Sequence, residues 1–494
     1  MIDLTKIERY HENNRIEAKK ALGGLPKSIW ETYSAFANTV GGIILLGVEE
    51  HADHSLHLLD LPDPQRLVKE FWDIVNNPKK VSVNVLSDKH VQIKTVNDKH
   101  IIVIHVPRAQ RFDKPVYIDD NPLSGTYRRN GEGDYKCTRE EVQAMLRDAA
   151  VQTQDMKVLA HMGMDVLDGE SVRRYRLRMQ NYRPGHVWEE LDDEAFLYKL
   201  GAAGRSSDGS IHPTAAGLLM FGYEYEIVKE FPHYFLDYQE QLDADTRWTD
   251  RVVSSSGDWS GNLYDFYFRV YQKIVQDIKI PFKLEDGSRI DDTPVHNALR
   301  EALANCLINA DYYGRQGLVV VKRTDAITIS NPGAFRIELE TAKSGGISDP
   351  RNVALMKMFN LINIGERAGS GIPNIYTVWE KQGWAQPDIT EQFEPDRTIL
   401  TLPLQKEKHN AENKKIGDKK SAIKIGDKKS AINQNKKNQI IDYLTDHPYA
   451  KTVDIAQHID LKPSRTRDYL CELVTEEIIV AEGSNKNRIY TLKS

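Results

Sequence analysis

Three carboxylates, Glu12, Glu17 and Glu50, lie in the first fifty residues at positions where folding can bring them together. Glu12 and Glu17 flank a short strand-like stretch, and Glu50 ends a second strand. Such a cluster either holds a divalent metal or is three solvated surface acids. Carboxylate oxygens are hard donors, so a metal held here would be Mg²⁺ or Mn²⁺, with water in its remaining positions. Such an ion polarises a phosphodiester and lowers the pKa of an attacking water.

The elements that must position these acids follow from local pattern. Residues 30–38 read as a helix with Ile29, Tyr33 and Phe36 on one face. Gly41 and Gly42 supply the chain reversal into a strand over Ile43–Val48. Residues 100–106 are a second buried strand, and 91–95 can pair with it as a hairpin across Asn97-Asp98. Residues 116–129 read as a two-stranded excursion turning at Asn121-Pro122 and Gly125. Thr138 followed by Glu141 is a capping-box pattern and opens a closing helix to Ala150.

The 494 residues suffice for about three domains of roughly 150 residues each. The net charge of −6 excludes a chain coated in positive charge but allows basic patches. Cys137, Cys306 and Cys471 are far apart, so neither a zinc finger nor a disulfide framework is expected. No apolar signal region opens the chain, and no apolar run can span a bilayer. A cytoplasmic protein with no membrane partner is the expectation.

The fold class expected is α+β multidomain. Residues 1–150 form an α/β N-terminal domain, 151–205 a polar helical connector and 206–404 a second α/β unit. Residues 405–438 carry Lys-Ile-Gly-Asp-Lys-Lys-Ser-Ala-Ile twice, at 415–423 and 424–432, with 11 lysines against 4 acids. They read as a flexible basic linker of roughly 100 Å when extended. Residues 439–494 read as a winged helix-turn-helix. Its recognition helix presents Arg465 and Arg467 to DNA, and its wing carries Lys486 and Arg488. Winged helices also serve as docking or dimerisation modules.

The N-terminal residues resemble the Schlafen AlbA-2 domain of the bacterial type. The resemblance rests on Glu12, Glu17 and Lys19, then Ala35-Phe36-Ala37-Asn38 with Gly41-Gly42, then Gly47-Val48-Glu49-Glu50. Lys114-Pro115-Val116-Tyr117 and Tyr127-Arg128-Arg129 add to it. Ala18 stands where an aromatic is usual, and Glu50 where Asp is usual. The resemblance implies metal ligation and catalysis by Glu12, Glu17 and Glu50, with Lys19 neutralising a phosphate. It implies cleavage of tRNA or other RNA, in stress response or anti-phage defence. Nucleic acid would meet Lys114, Tyr117, Tyr127, Arg128 and Arg129. One such lobe makes half a clamp, so a homodimer is expected.

The middle domain resembles a divergent GHKL-like ATPase module, also labelled RecG-like, through Glu301 and Asn305, Asp311-Tyr312, Asn331-Pro332-Gly333 and Gly369-Ser370-Gly371. The resemblance implies an α/β sandwich. ATP would be held by Glu301, Asn305, Gly369 and Gly371. The aspartate that reads adenine is replaced by Asn331-Pro332-Gly333, and no P-loop is present. The competing reading is non-enzymatic: a DNA-binding transcriptional regulator whose middle domain senses a ligand or nucleotide, the acids being structural.

Overall fold

In the computed structural model the described residues are 2–405 apart from 244–245, 277, 279–282, 286–287, 291–292, 366–369 and 394, together with 440–441, 443–445, 447, 449–458, 466, 469–470, 473–474, 479–482 and 488–492. The chain divides into two compact units, Met1–His409 and Asn410–Ser494.

The N-terminal module is built on a four-stranded sheet in the order Ile16–Lys19, Gly42–Leu46, Lys99–Val106, Val91–Val96. The first pair is parallel and the others antiparallel. Ile44, Leu46, Ile102 and Ile104 face one core with the helices Ile29–Asn38 and Pro64–Val75. Ile16, Leu45, Ile101 and Val103 face another with Val48 and Leu56. Both faces are covered, which explains the unbroken apolar runs at 43–46 and 101–104. The hairpin forms across Asn97 and Asp98, both at positive φ. The strand expected to run through Val48 breaks at Gly47, whose φ of +82° takes the backbone out of the strand region, and a Cβ there would sit 2.8 Å from Leu61. Its second half, Val48–Glu50, pairs with Leu56–Leu58 instead. Thr138 and Glu141 make the expected capping box on the helix Arg139–Ala149.

The middle module carries a six-stranded mixed sheet in the order Asp250–Val253, Leu236–Gln241, Leu318–Arg323, Ala326–Pro332, Asp396–Pro403, Asp388–Phe393. Helices Leu263–Val275, Pro294–Asn309, Val353–Leu361 and Gly371–Gln382 share its core. Residues 151–205, read above as a connector, do not stand apart. Leu159, Tyr175, Met179, Phe196 and Leu200 belong to this same core. Their polar neighbours hid an amphipathic pattern: the helix Gly169–Tyr182 turns Val172, Tyr175 and Met179 inward.

In the second unit a helix Thr452–His458 and a three-stranded antiparallel sheet are described, in the order Ala450–Lys451, Ile489–Leu492, Ile479–Glu482. Ile440, Leu444, Ile455, Leu470, Leu473 and Tyr490 form its core. The segment read as a linker, 405–438, lies outside the described residues except for Gln405.

Candidate functional site

The parallel pairing of Ile16–Lys19 with Gly42–Leu46 sets Glu17 opposite Ile44 and Lys19 opposite Leu46. The preceding loop folds back, so that Glu12 Oε1 accepts the Ala18 N–H at 2.9 Å. Glu50, at the end of Val48–Glu50, lies 3.3 Å from His54 Nδ1. The three acids do converge electrostatically. Burial first, and then the charges of Glu17 and Glu50, push the Glu12 carboxyl above the ordinary glutamate value, against the Ala18 N–H and Lys19.

They do not converge as a metal cage. Glu17 is buried, with Lys19 Nζ donating to Oε1 at 2.7 Å and Arg129 paired with Oε2 at 2.8 Å. That second contact is an ion pair without hydrogen-bond alignment, which leaves Oε2 with no hydrogen-bond partner. Among the described residues no three His, Cys, Asp or Glu side chains are grouped to hold a metal ion. The donor chemistry suits Mg²⁺ or Mn²⁺, but the arrangement does not fit one while Lys19 and Arg129 hold Glu17.

The residues expected to meet nucleic acid on 114–131 mostly face inward. Asn38, closing the helix Ile29–Asn38, accepts from Val116 N at 2.9 Å and donates to the carbonyls of Val116 and Tyr127 at 2.8 and 3.0 Å. This staple draws the segment into the core. Lys114 Nζ donates to the Asn38 carbonyl at 2.9 Å. Tyr127 is buried, its hydroxyl bonded to Glu31 at 3.0 Å and its pKa pushed up to about 12 by burial and that carboxylate. Arg129 reaches Asp134 at 2.9 Å and the Asn13 carbonyl. Arg128 grips Asp396 of the middle module at 2.6 and 2.7 Å. Lys114, Tyr127, Arg128 and Arg129 are therefore held as scaffold in this state and do not form an exposed nucleic-acid-facing surface. Tyr117 is half-buried and pairs with Ser82 through its backbone.

Sequence reasoning missed Arg108 and Arg111. Arg108 makes two bonds to Glu391, at 2.5 and 3.0 Å, and one to the Phe335 carbonyl at 2.6 Å. Arg111 bonds Asp349 at 2.5 Å. Their partners lie 283 and 238 positions away, so no local signal exists. Arg15 and Lys20, on either side of Glu17 in the chain, are exposed. Arg15 and Asn14 open onto a groove of about 490 Å³, which also takes in Asn130 and the turn at Gly131.

In the middle module Glu301 and Asn305 are one turn apart on the helix Pro294–Asn309, and Asn305 Nδ2 donates to Glu301 Oε1 at 3.1 Å. Gly371 opens the helix Gly371–Gln382 directly over them. A Cβ at Gly371 would fall 2.4 Å from Glu301 Oε1 and 2.9 Å from Asn305 Nδ2. The adjoining cavity, about 150 Å³, is walled by Ile329, Met356, Ile389 and Leu400. Gly369 lies outside the described residues, as do Arg465, Arg467 and Lys486. Arg488 is described and exposed, its guanidinium 5.9 Å from the Tyr490 ring centre. Gly333, φ +98°, leaves room for Arg351, whose guanidinium would meet a Cβ at 2.4 Å. The segment 331–333 thus seats an arginine where an adenine-reading aspartate was missed.

Residues 12–138 match the family described as Schlafen, AlbA_2. The N-terminal module belongs to the Schlafen AlbA_2 family. Residues 320–402 match the family described as "Putative ATP-dependent DNA helicase recG C-terminal", and residues 143–237 a domain of unknown function, DUF8451. The last match begins inside the closing helix of the Schlafen module and ends in the sheet of the middle module.

No curated protein matches the chain. Among solved structures, the crystal structure of the DIP2311 protein from Corynebacterium diphtheriae covers 97% of this chain and 95% of its own, at 16% identity and a TM-score of 0.42. The solution structure of the N-terminal domain of a putative ATP-dependent DNA helicase RecG-related protein from Nitrosomonas europaea covers 27% of this chain and 89% of its own, at 30% identity and a TM-score of 0.22. The Schlafen AlbA_2 match points to nucleic acid as the partner class. No helix among the described residues is long and apolar enough to cross a membrane.

Proposed function

We propose that this chain is a nucleic-acid-binding regulator whose Schlafen AlbA_2 module engages nucleic acid without cutting it. One observation carries the reading. Glu17, the most buried of the three acids, is already neutralised by Lys19 and Arg129. A buried carboxylate held by two cations is a structural group, and separating it from them is costly. In this reading phosphate is met at the open groove beside Arg15, and the C-terminal unit acts as a winged helix on DNA through Arg465, Arg467, Lys486 and Arg488. The middle module is a sensor, its Glu301–Asn305 pair and apolar cavity being the place for ATP. A homodimer would supply the second lobe of a Schlafen-type clamp, and a monomeric mass by light scattering at micromolar concentration would count against it.

A second reading is favoured by the crowding at Glu12. The charges of Glu17 and Glu50 both push the Glu12 carboxyl up, and a divalent cation relieves such crowding. A metal-dependent RNA endonuclease of the tRNA-cutting type, in stress response or anti-phage defence, requires Glu17 to let go of Lys19.

The experiment that separates the two is incubation of the full chain with tRNA and single-stranded DNA, with Mg²⁺ or Mn²⁺, alongside Glu50→Gln and Glu17→Gln. Glu50 is half-buried and its side chain meets His54, so Glu50→Gln spares the Glu17 scaffold. Retarded but intact nucleic acid, with Arg15→Ala weakening retention, is the expected result. Metal-dependent cleavage lost in Glu50→Gln overturns it in favour of the nuclease.

A further inference from the structure

Several buried or half-buried arginines gather between the Schlafen module and the middle module. A cavity of about 340 Å³ opens there, within the range of about 300–1,000 Å³ common for small-molecule sites. Seven arginines and Lys114 line it against five carboxylates.

The arginines are anchored but not satisfied. Arg147 is held by Asp311 at 3.0 Å, Arg351 by Asp148 at 3.1 Å and Arg128 by Asp396 at 2.6 Å, each through a terminal guanidinium nitrogen. Arg336 donates through its terminal nitrogens to the carbonyls of Pro350 and Asp148, while Asp349 stays 3.6 Å from its Nε. The Nε atoms of all four are buried and have no hydrogen-bond partner. Only one other buried side-chain atom among the described residues shares that condition, Glu17 Oε2. Four donors of one kind, left unpaired around one cavity, are unusual in a folded core, where buried polar groups are bonded. Lys114 lies beside them. Burial holds its pKa well below the ordinary lysine range, and Arg108 and Arg128 push the same way.

We infer that this cavity is a binding site for a compact phosphate-bearing anion, free or at the end of a nucleotide. Planar guanidinium donors match phosphate oxygens, and an anion in this cavity adds to the carboxylates that balance the clustered cations. The wall is shared: Lys114, Arg128 and Arg147 come from the Schlafen side, Arg336 and Arg351 from the middle module. The bound anion therefore ties the two modules together and makes their contact respond to its concentration. This site shares Arg336 and Arg351 with the cavity beside the Glu301–Asn305 pair, and it does not depend on what the Schlafen module binds.

The test is calorimetric titration of the full chain with inorganic phosphate, pyrophosphate and ADP at constant salt, for wild type, Arg147→Gln and Asp311→Asn. Pyrophosphate is expected to bind wild type, and Arg147→Gln to weaken it roughly tenfold, the loss of about one charge-assisted bond. Asp311→Asn breaks the same ion pair but keeps the cation, so it should bind as tightly as wild type or more so. Pyrophosphate bound with no competition from ADP assigns a free anion, and ADP displacing pyrophosphate assigns a nucleotide's phosphate tail. No pyrophosphate binding, an unchanged affinity in Arg147→Gln, or equal losses in both variants overturns the site.

Discussion

Arg128 and Asp396 form a two-bond ion pair, 2.6 and 2.7 Å, that joins the Schlafen AlbA_2 module to the start of a strand in the middle-module sheet. Asp396 begins the strand Asp396–Pro403, and Arg128 lies in Tyr127–Asn130, 268 positions earlier. Arg108–Glu391 and Arg111–Asp349 reinforce the same contact. Removing one partner of a buried pair leaves an uncompensated charge. Arg128→Ala is expected to cost about 3–5 kcal/mol in denaturant unfolding, by the usual magnitude for breaking such pairs. Arg128→Met with Asp396→Leu should recover much of it. A loss below about 1 kcal/mol, the range of exposed pairs, would mean that this contact opens in solution.

Asn38 tests whether the 114–131 segment is core or surface. Its side chain satisfies three backbone groups, Val116 N–H, Val116 C=O and Tyr127 C=O. Each such group left unpaired costs about 1–3 kcal/mol. Asn38→Ala should therefore lose at least about 3 kcal/mol, and amide exchange at Val116 should accelerate. Unchanged protection at Val116 would show that the staple is not what holds the segment.

Glu12 gives the chain a pH dependence of definite sign. Its carboxyl keeps its proton to higher pH in the folded state than in the unfolded chain. Above the ordinary glutamate value the folded state thus binds more protons there, and this group's contribution lowers stability as pH rises. Glu12→Gln, whose Oε1 can still accept the Ala18 N–H, should melt higher than wild type at pH 7. The difference should vanish below about pH 4, where the wild-type side chain is protonated in both states. A scan of melting temperature against pH for both proteins decides it.

Gly42 shows why the Gly41-Gly42 turn cannot take a larger residue. A Cβ at Gly42 would lie 2.7 Å from the Phe36 ring, and Phe36 is fully buried. Gly42→Ala is expected to cost about 1–3 kcal/mol, the usual range for overpacking a core. Phe36→Leu in the same background should return part of the loss, as seen in urea midpoints.

Local pattern determined the helix Ile29–Asn38, the hairpin across Asn97-Asp98, the capping box at Thr138 and the helix carrying Glu301 and Asn305. Each depends on side chains within one or two turns of each other, so periodicity, turn residues and cap spacing suffice. The same kind of information made Glu12, Glu17 and Glu50 legible as a group. Only the tertiary structure decided what the charges do. Arg128, Arg129 and Lys114 carry the residue types of a phosphate-binding surface, yet Asn38 pulls their segment inward, where Asp396 and the carbonyls of Asn13 and Asn38, all far along the chain, receive them. The arginine-lined cavity was invisible for the same reason. It is assembled from two modules, and a guanidinium reads alike in sequence whether it meets water, a carboxylate or nothing at all.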